Sequence, residues 1–120
     1  MSTSLCLLIS AAAIAQQPSP SPPAKTPPEA ANAIEDFKAD AKEYVIQLDS
    51  RPDAAFTLHE EPLLHWSNPA RTGEDGAVFV WLLDGRPEVI GSIFTYRYSD
   101  VIRRKHEYHS LASGPLTATY

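Results

Sequence analysis

Apolar residues recur at alternating spacings of four and three in the stretch that follows the proline-rich part of the chain. This spacing indicates an amphipathic helix. Thr26-Pro27-Pro28-Glu29 fits a capping box with proline at the first helical position. Arg51-Pro52 ends the pattern, because a residue before proline disfavours the α region. We therefore predict one long helix of about 22 residues. Its apolar stripe comprises Ala30, Ile34, Phe37, Ala41, Tyr44 and Leu48, widened by Ala33 and Val45.

The same spacing also fits a coiled coil, but only about three heptads are present, which is fewer than that assignment needs. Three of the apolar positions are alanines, namely Ala30, Ala33 and Ala41. A face that thin suits close packing against a sheet. We therefore expect the helix to cover a sheet.

From Ala54 onward the apolar pattern changes to the period of two that is typical of strands. We predict a first strand broken near Glu60-Glu61-Pro62, then strands over 77–83, 87–98 and 103–112, and the start of a fifth over 116–120. The fold class is α+β: one long N-terminal helix packed on a four- to five-stranded antiparallel β-meander. A cystatin-like or NTF2-like architecture is the nearest analogy.

Asp84-Gly85 predicts a type I′ hairpin between the two longest apolar runs. With a two-residue turn, Trp81 would face Glu88 and Val80 would face Val89. One face would then be aliphatic and the other mainly aromatic. If a hairpin is apolar on both faces, either other elements of the fold cover both faces, or they cover one face and the other serves as a binding surface. The predicted aliphatic face comprises Val78, Val80, Leu82, Val89 and Ile93, and the aromatic face comprises Phe79, Trp81, Ile90, Phe94, Tyr96 and Tyr98.

The placement of the eleven prolines among the 120 residues divides the chain. Six of them lie between Pro18 and Pro28, which predicts an extended linker over 16–28. Residues 1–15 resemble a secretory signal that is cleaved near Ala15, with a buried apolar N-terminus as the alternative. We expect export to the periplasm or the extracellular space. The apolar run is shorter than the roughly 20 residues that a stable membrane span needs.

Residues 29–120 remain as a single domain, and the end at Tyr120 inside a predicted strand indicates a truncated chain. Cys6, the only cysteine, lies in the signal, so no disulfide is expected. A net charge of −5 and a pI near 5.2 argue against a nucleic-acid partner.

The histidines do not form a recognisable metal motif. His106 and His109 are three residues apart in a predicted strand, so they should point to opposite faces. His59 and His65, with Glu61, would make at most a weak site. No cysteine nucleophile, serine elbow or phosphate loop is visible, so we predict no catalytic residue, no metal and no cofactor.

The aromatic residues are the candidate ligand-binding set. We predict that Trp66, Trp81, Phe94 and Tyr96 contact a ligand. For Trp66, in the distinctive loop that contains Asn68-Pro69, we favour a role as core anchor and keep contact with a ligand as the alternative.

The segment from Leu64 to Pro115 resembles a group of uncharacterised secreted proteins of planctomycete-type bacteria. The resemblance is carried by Trp66-Ser67-Asn68-Pro69, by the run from Gly76 to Trp81, by Asp84-Gly85-Arg86-Pro87-Glu88 and by the run from His106 to Leu111. It implies export and a recurring domain, and it implies no activity.

The sequence therefore favours an exported, non-catalytic module that binds an unknown protein or small ligand. One alternative is a domain of a larger assembly or homodimer, completed by missing sequence or a second copy. The other is a small-ligand enzyme with a pocket between helix and sheet, in which His65, Glu88 or His109 would serve.

Overall fold

The computed structural model describes residues 27–68, 70–71 and 74–120. The predicted signal, most of the predicted linker and the capping residue Thr26 lie outside them. The described elements follow the order α1 Pro27–Lys42, β1 Val45–Leu48, β2 Thr57–Leu58, β3 Leu64–Ser67, β4 Asp75–Leu83, β5 Arg86–Tyr98, β6 Val101–Ser110 and β7 Leu116–Thr119.

The helix is shorter than its periodicity predicts, and the prediction of a long helix is wrong. Helix α1 has 16 residues and ends at Lys42 in a tight turn, in which the amide of Tyr44 bonds the carbonyl of Ala41. The last part of the predicted helix is strand β1, which pairs with β7 from the far end of the chain. Val45 and Ile46 are β-branched, and such residues favour a strand when a partner is available.

The main sheet is an antiparallel meander, as predicted. Strands β2 and β3 both pair with β4, so they act as one edge strand interrupted at the predicted break. Strands β4, β5 and β6 follow in sequence order. Strand β7 does not extend this meander but forms a separate two-stranded sheet with β1. The mixed α+β class is thus confirmed.

The β4–β5 hairpin contains one extra residue that the predicted register lacks. Its turn is the predicted one, with positive φ of 52° at Asp84 and 78° at Gly85. Beyond the turn, Trp81 pairs with Val89, because a bulge leaves Glu88 as the additional residue on β5. Glu88 is buried, and its carboxylate accepts two hydrogen bonds from the Arg86 guanidinium, at 2.8 and 3.3 Å.

The bulge changes which side chains share a face, because a one-residue shift moves every following residue to the other side of the sheet. The predicted division into an aliphatic and an aromatic face is therefore wrong. The face under α1 carries Ala77, Phe79 and Trp81 from β4 with Val89 and Ile93 from β5. The opposite face carries Val78 and Val80 with Ile90, Phe94 and Tyr96.

The core lies between α1 and the first of these faces. Phe37 and Ala41 of the helix are fully buried against it. Ile46 of β1 and Phe56 also belong to this core, and the amide of Phe56 donates to the carbonyl of Ile46 at 2.8 Å. Among the described residues, no helix is long and apolar enough to cross a membrane.

Candidate functional site

The face of the main sheet that α1 does not cover is the largest candidate site. We call it the open face. Its centre is Trp66 on β3, which pairs with Gly76 on β4, which in turn pairs with Phe94 on β5. A Cβ atom at Gly76 would lie 2.0 Å from the Trp66 ring, so the ring lies directly on the glycine backbone. Only glycine permits that close approach.

Three neighbouring aromatic rings lie on the open face, and we call them the aromatic row: Trp66 and Phe94 lie on either side of Gly76 across the strands, and Tyr96 follows Phe94 along β5. The ring centroids of Trp66 and Phe94 are 6.3 Å apart, and those of Phe94 and Tyr96 are 6.2 Å apart. Neighbouring rings are tilted by 43° and 49°. Trp66 is 36% exposed, and the other two rings are half-buried. Each ring therefore keeps part of its surface accessible while its neighbours hold it in place.

Aliphatic residues continue this surface beyond the aromatic row. Leu64 is 57% exposed on β3 beside Val78, and the half-buried Ile90 of β5 pairs with Val80 of β4, which is itself buried. Tyr98 and its partner Val101 extend the surface to the end of the sheet. Apolar side chains of the open face therefore come from three neighbouring strands, β3, β4 and β5.

Strand β6 gives the open face a charged border. Arg103 lies opposite Tyr96, Lys105 opposite Phe94, and Glu107 opposite Ser92. The Arg103 guanidinium stacks over the ring of Tyr98 at 5.1 Å. A hydrogen bond and ion pair with Glu107 raise the pKa of Lys105. Charges of both signs therefore border the apolar surface along β6.

The structure unites three of the four predicted ligand-binding residues and separates the fourth. Trp66, Phe94 and Tyr96 form the aromatic row. Trp81 lies on the opposite side of the sheet, fully buried among the rings of Phe79 and Tyr108. Trp81 therefore cannot touch a ligand on the open face. The interpretation of Trp66 as a core anchor also differs from its observed position, because its ring lies on the open face and is 36% exposed.

The predicted histidine candidates do not converge. His106 faces the covered side, opposite Ile93, and His109 faces the open side, opposite Ile90. His59 is exposed, and its Nδ1 atom lies 2.8 Å from the carbonyl oxygen of Glu61. Across residues 27–68, 70–71 and 74–120, no group of three His, Cys, Asp or Glu side chains is arranged to hold a metal ion.

A second cluster joins the end of α1 to β6, and sequence reasoning missed it. The Tyr44 hydroxyl and His106 Nδ1 are 2.6 Å apart, and His106 Nε2 lies 3.5 Å from the Asp40 carboxylate. Asp40 also accepts a hydrogen bond from Arg104 at 2.7 Å. An imidazole between a hydroxyl and a carboxylate can move a proton. No sequence signal was available, because Tyr44 and His106 are 62 residues apart and meet only through the fold.

Aromatic rings surround this second cluster. The Tyr44 ring lies 4.9 Å from that of Tyr108 and 4.7 Å from that of Tyr120, centroid to centroid. Burial, followed by the neighbouring Tyr44 side chain, raises the pKa of Tyr108 well above its usual value. The buried Tyr108 hydroxyl makes no hydrogen bond of good geometry among the described residues. The cluster is therefore packed as an extension of the core.

The chain matches no protein-family model, no curated protein and no solved structure. The function must consequently be argued from the geometry of the two sites. The resemblance to planctomycete secreted proteins and the cystatin-like analogy stay predictions.

Proposed function

We propose that the protein is an exported, non-catalytic interaction module that binds its partner through the open face of the main sheet. One observation carries the proposal. The open face presents a mainly apolar surface that contains the aromatic row, although α1 already covers the other side of the same strands.

The exposure of this surface is costly unless a partner covers it. Burial of apolar area is worth about 25 cal/mol per Å², and monomeric proteins rarely leave large apolar patches in water. Leu64 and Tyr98 are more than half exposed, and Trp66 is exposed by a third. Tryptophan and tyrosine also dominate the binding energy of protein interfaces. These features together support a binding surface.

The contacts that hold the aromatic row in place favour specific binding over nonspecific hydrophobic association. Trp66 rests on the Gly76 backbone, and Phe94 lies between its two ring neighbours. Side chains that are already held in place lose little conformational entropy on association. The row therefore presents a preorganised shape to a partner.

The residues considered for an enzyme alternative are dispersed. His65 lies on β3 and pairs with Ala77 of the covered side, whereas His109 lies on the open face. The carboxylate of Glu88 is engaged by Arg86. The cluster of Asp40, His106 and Tyr44 is packed under rings and ties α1 to β6, so we assign it a structural role.

The test uses a photo-crosslinking amino acid at position 94 in the cell that exports the protein. We expect a covalent adduct of defined mass, because Phe94 would lie inside the interface. Ile102 supplies the control position: it is on β6 and 42% exposed, but its pairing with Arg97 places it on the opposite side of the sheet from Phe94.

No adduct from position 94, or equal adducts from positions 94 and 102, would reject the proposed surface. Export itself rests on the sequence of residues 1–15. N-terminal sequencing of the same secreted material tests it, and a retained Met1 would contradict cleavage near Ala15.

A further inference from the structure

We propose that the partner is a second copy of this chain, so that two open faces pack against each other as the two layers of a β-sandwich. This inference rests on the proposed function, because it names the occupant of the same surface. It is carried by the size of the face, by its relief and by the distribution of charge along β6.

The size of the open face meets the requirement for a stable dimer. Strand β6 and the part of β5 that pairs with it have ten residues, and at about 3.3 Å per residue they extend over about 33 Å. Four strand positions at about 4.8 Å make a width of about 19 Å. Each copy therefore offers about 600 Å² in projection, and two copies would bury about 1,200 Å², which is the lower end of specific interfaces.

The side chains of the open face differ in size in a way that suits a second copy. The large rings of the aromatic row lie beside a low track of smaller side chains formed by Val78 of β4 and Ser92 of β5, which pair directly. In a two-fold dimer each patch of one copy contacts the same patch, or an adjacent patch, of the other copy. The rings of one copy can thus rest on the low track of the other, at the spacing of about 10 Å that is usual for stacked sheets.

The charges on β6 also suit a second copy. The open-face positions of β6 include Arg103 and Lys105 with positive charge and Glu107 with negative charge. A border of one sign would repel its own copy, whereas a border of both signs can pair with itself. Lys105 pairs with Glu107 of its own chain, and in the dimer each of the two would also lie close to the oppositely charged residue of the other copy.

Pairing between the β6 edges is a less suitable arrangement. Arg103, Arg104 and Lys105 are consecutive on that strand. Two such edges side by side would bring like charges together, which destabilises strand pairing. The other face is filled by Phe37 and Ala41 of α1. Self-association is therefore directed to the open face.

The test is sedimentation velocity of the secreted chain from about 1 to 100 µM, a range that covers micromolar dissociation constants. We expect a reversible change from the mass of one chain to the mass of two. Phe94→Lys should weaken dimerisation by at least about tenfold, because it places a charge at the centre of the interface. Ile102→Lys is the matched control and should leave dimerisation unchanged.

A charge-exchange pair tests the same arrangement without altering the apolar surface. Lys105→Glu makes the border acidic, and Glu107→Lys makes it basic. Each variant alone should dimerise more weakly than wild type, and an equal mixture should recover dimers by pairing unlike borders. Near-UV circular dichroism of the buried Trp81 confirms that each variant is folded.

A folded wild-type chain that stays monomeric at about 100 µM would overturn the second copy as partner. If Phe94 then crosslinks to a protein of another mass, the binding function stands with a different partner. If Phe94 gives no adduct either, both proposals fail. Equal weakening by Phe94→Lys and Ile102→Lys would also overturn the face-to-face arrangement.

Discussion

The two faces of the main sheet are built from alternate residues of the same strands, and both are apolar. On the covered face, Phe79, Trp81 and Ile93 are fully buried under α1. On the open face, Phe94 and Tyr96 are half-buried and have no covering element among the described residues. Chemistry of the side chains therefore does not distinguish the faces. The single helix does, because one helix covers only one side of a sheet.

Both faces also use the same device, an aromatic ring placed on a glycine. Gly91 lies beneath Tyr108 and Trp81 on the covered side, and Gly76 lies beneath Trp66 on the open side. On the covered side the rings are enclosed by their neighbours. On the open side the ring of Trp66 is partly exposed to solvent. A ring packed on a glycine should therefore contribute more to the unfolding free energy on the covered face than on the open face.

Removal of one tryptophan from each face should produce the largest contrast. Trp81→Ala leaves a cavity in the core and should cost about 3–5 kcal/mol of unfolding free energy. Trp66→Ala should cost less than about 1.5 kcal/mol in the monomer, because its ring is partly in water. Urea denaturation at low micromolar protein measures both, and equal losses would contradict the division into a covered and an open face.

The two glycines provide a smaller contrast. In Gly91→Ala the new methyl group would lie 2.7 Å from the Tyr108 ring and 2.8 Å from Trp81, so the packed core must shift. We expect a loss of about 1–3 kcal/mol. In Gly76→Ala the clash is with Trp66, whose ring can swing outward.

The expected result of Gly76→Ala is therefore a small loss of stability with a red-shifted fluorescence of Trp66. Unfolding curves and emission spectra of the two variants test this. A larger loss of stability at Gly76 than at Gly91 would show that the open face is packed as tightly as the core.

The smallest expected effect is the contribution of Tyr108, on the covered face, to the pH dependence of the unfolding free energy. Burial raises the folded-state pKa of Tyr108, so the folded protein resists its ionisation. The resulting stability is fully present below the unfolded pKa of about 10, and it is lost as pH rises above that value. We expect Tyr108→Phe to weaken the alkaline fall in unfolding free energy.

Tyr98→Phe is the matched control, since Tyr98 is 63% exposed at the end of the open face. Unfolding free energies measured between pH 8 and 11 (a range that spans about three decades around the tyrosine pKa) compare the two. The hypothesis fails if the alkaline slope is the same in Tyr108→Phe as in wild type.

Local signals in the sequence predicted most elements of the main sheet. The break near Pro62 and the Asp84-Gly85 turn were predicted from turn chemistry, because proline and glycine restrict the backbone wherever they stand. The end of α1 was not predictable in this way. Val45 to Leu48 continue a helical spacing, and only the distant partner β7 makes them a strand.

The candidate site depended on a single residue that local signals do not show. Turn geometry alone set Trp81 opposite Glu88, but the extra residue on β5 sets it opposite Val89. That bulge moves Trp81 away from Phe94 and Tyr96 and brings these two onto the face of Trp66. The pairing of Tyr44 with His106 is equally invisible locally, since it joins residues 62 positions apart.

By itself, the sequence determined that this chain forms an antiparallel sheet with a helix and more apolar strand surface than one helix can cover. It determined this because backbone restrictions and hydrophobic periodicity act over a few neighbouring residues. The tertiary structure decided where the helix stops and which rings share the uncovered side. Those outcomes depend on register and on pairing between distant strands, and a shift of one residue reverses them.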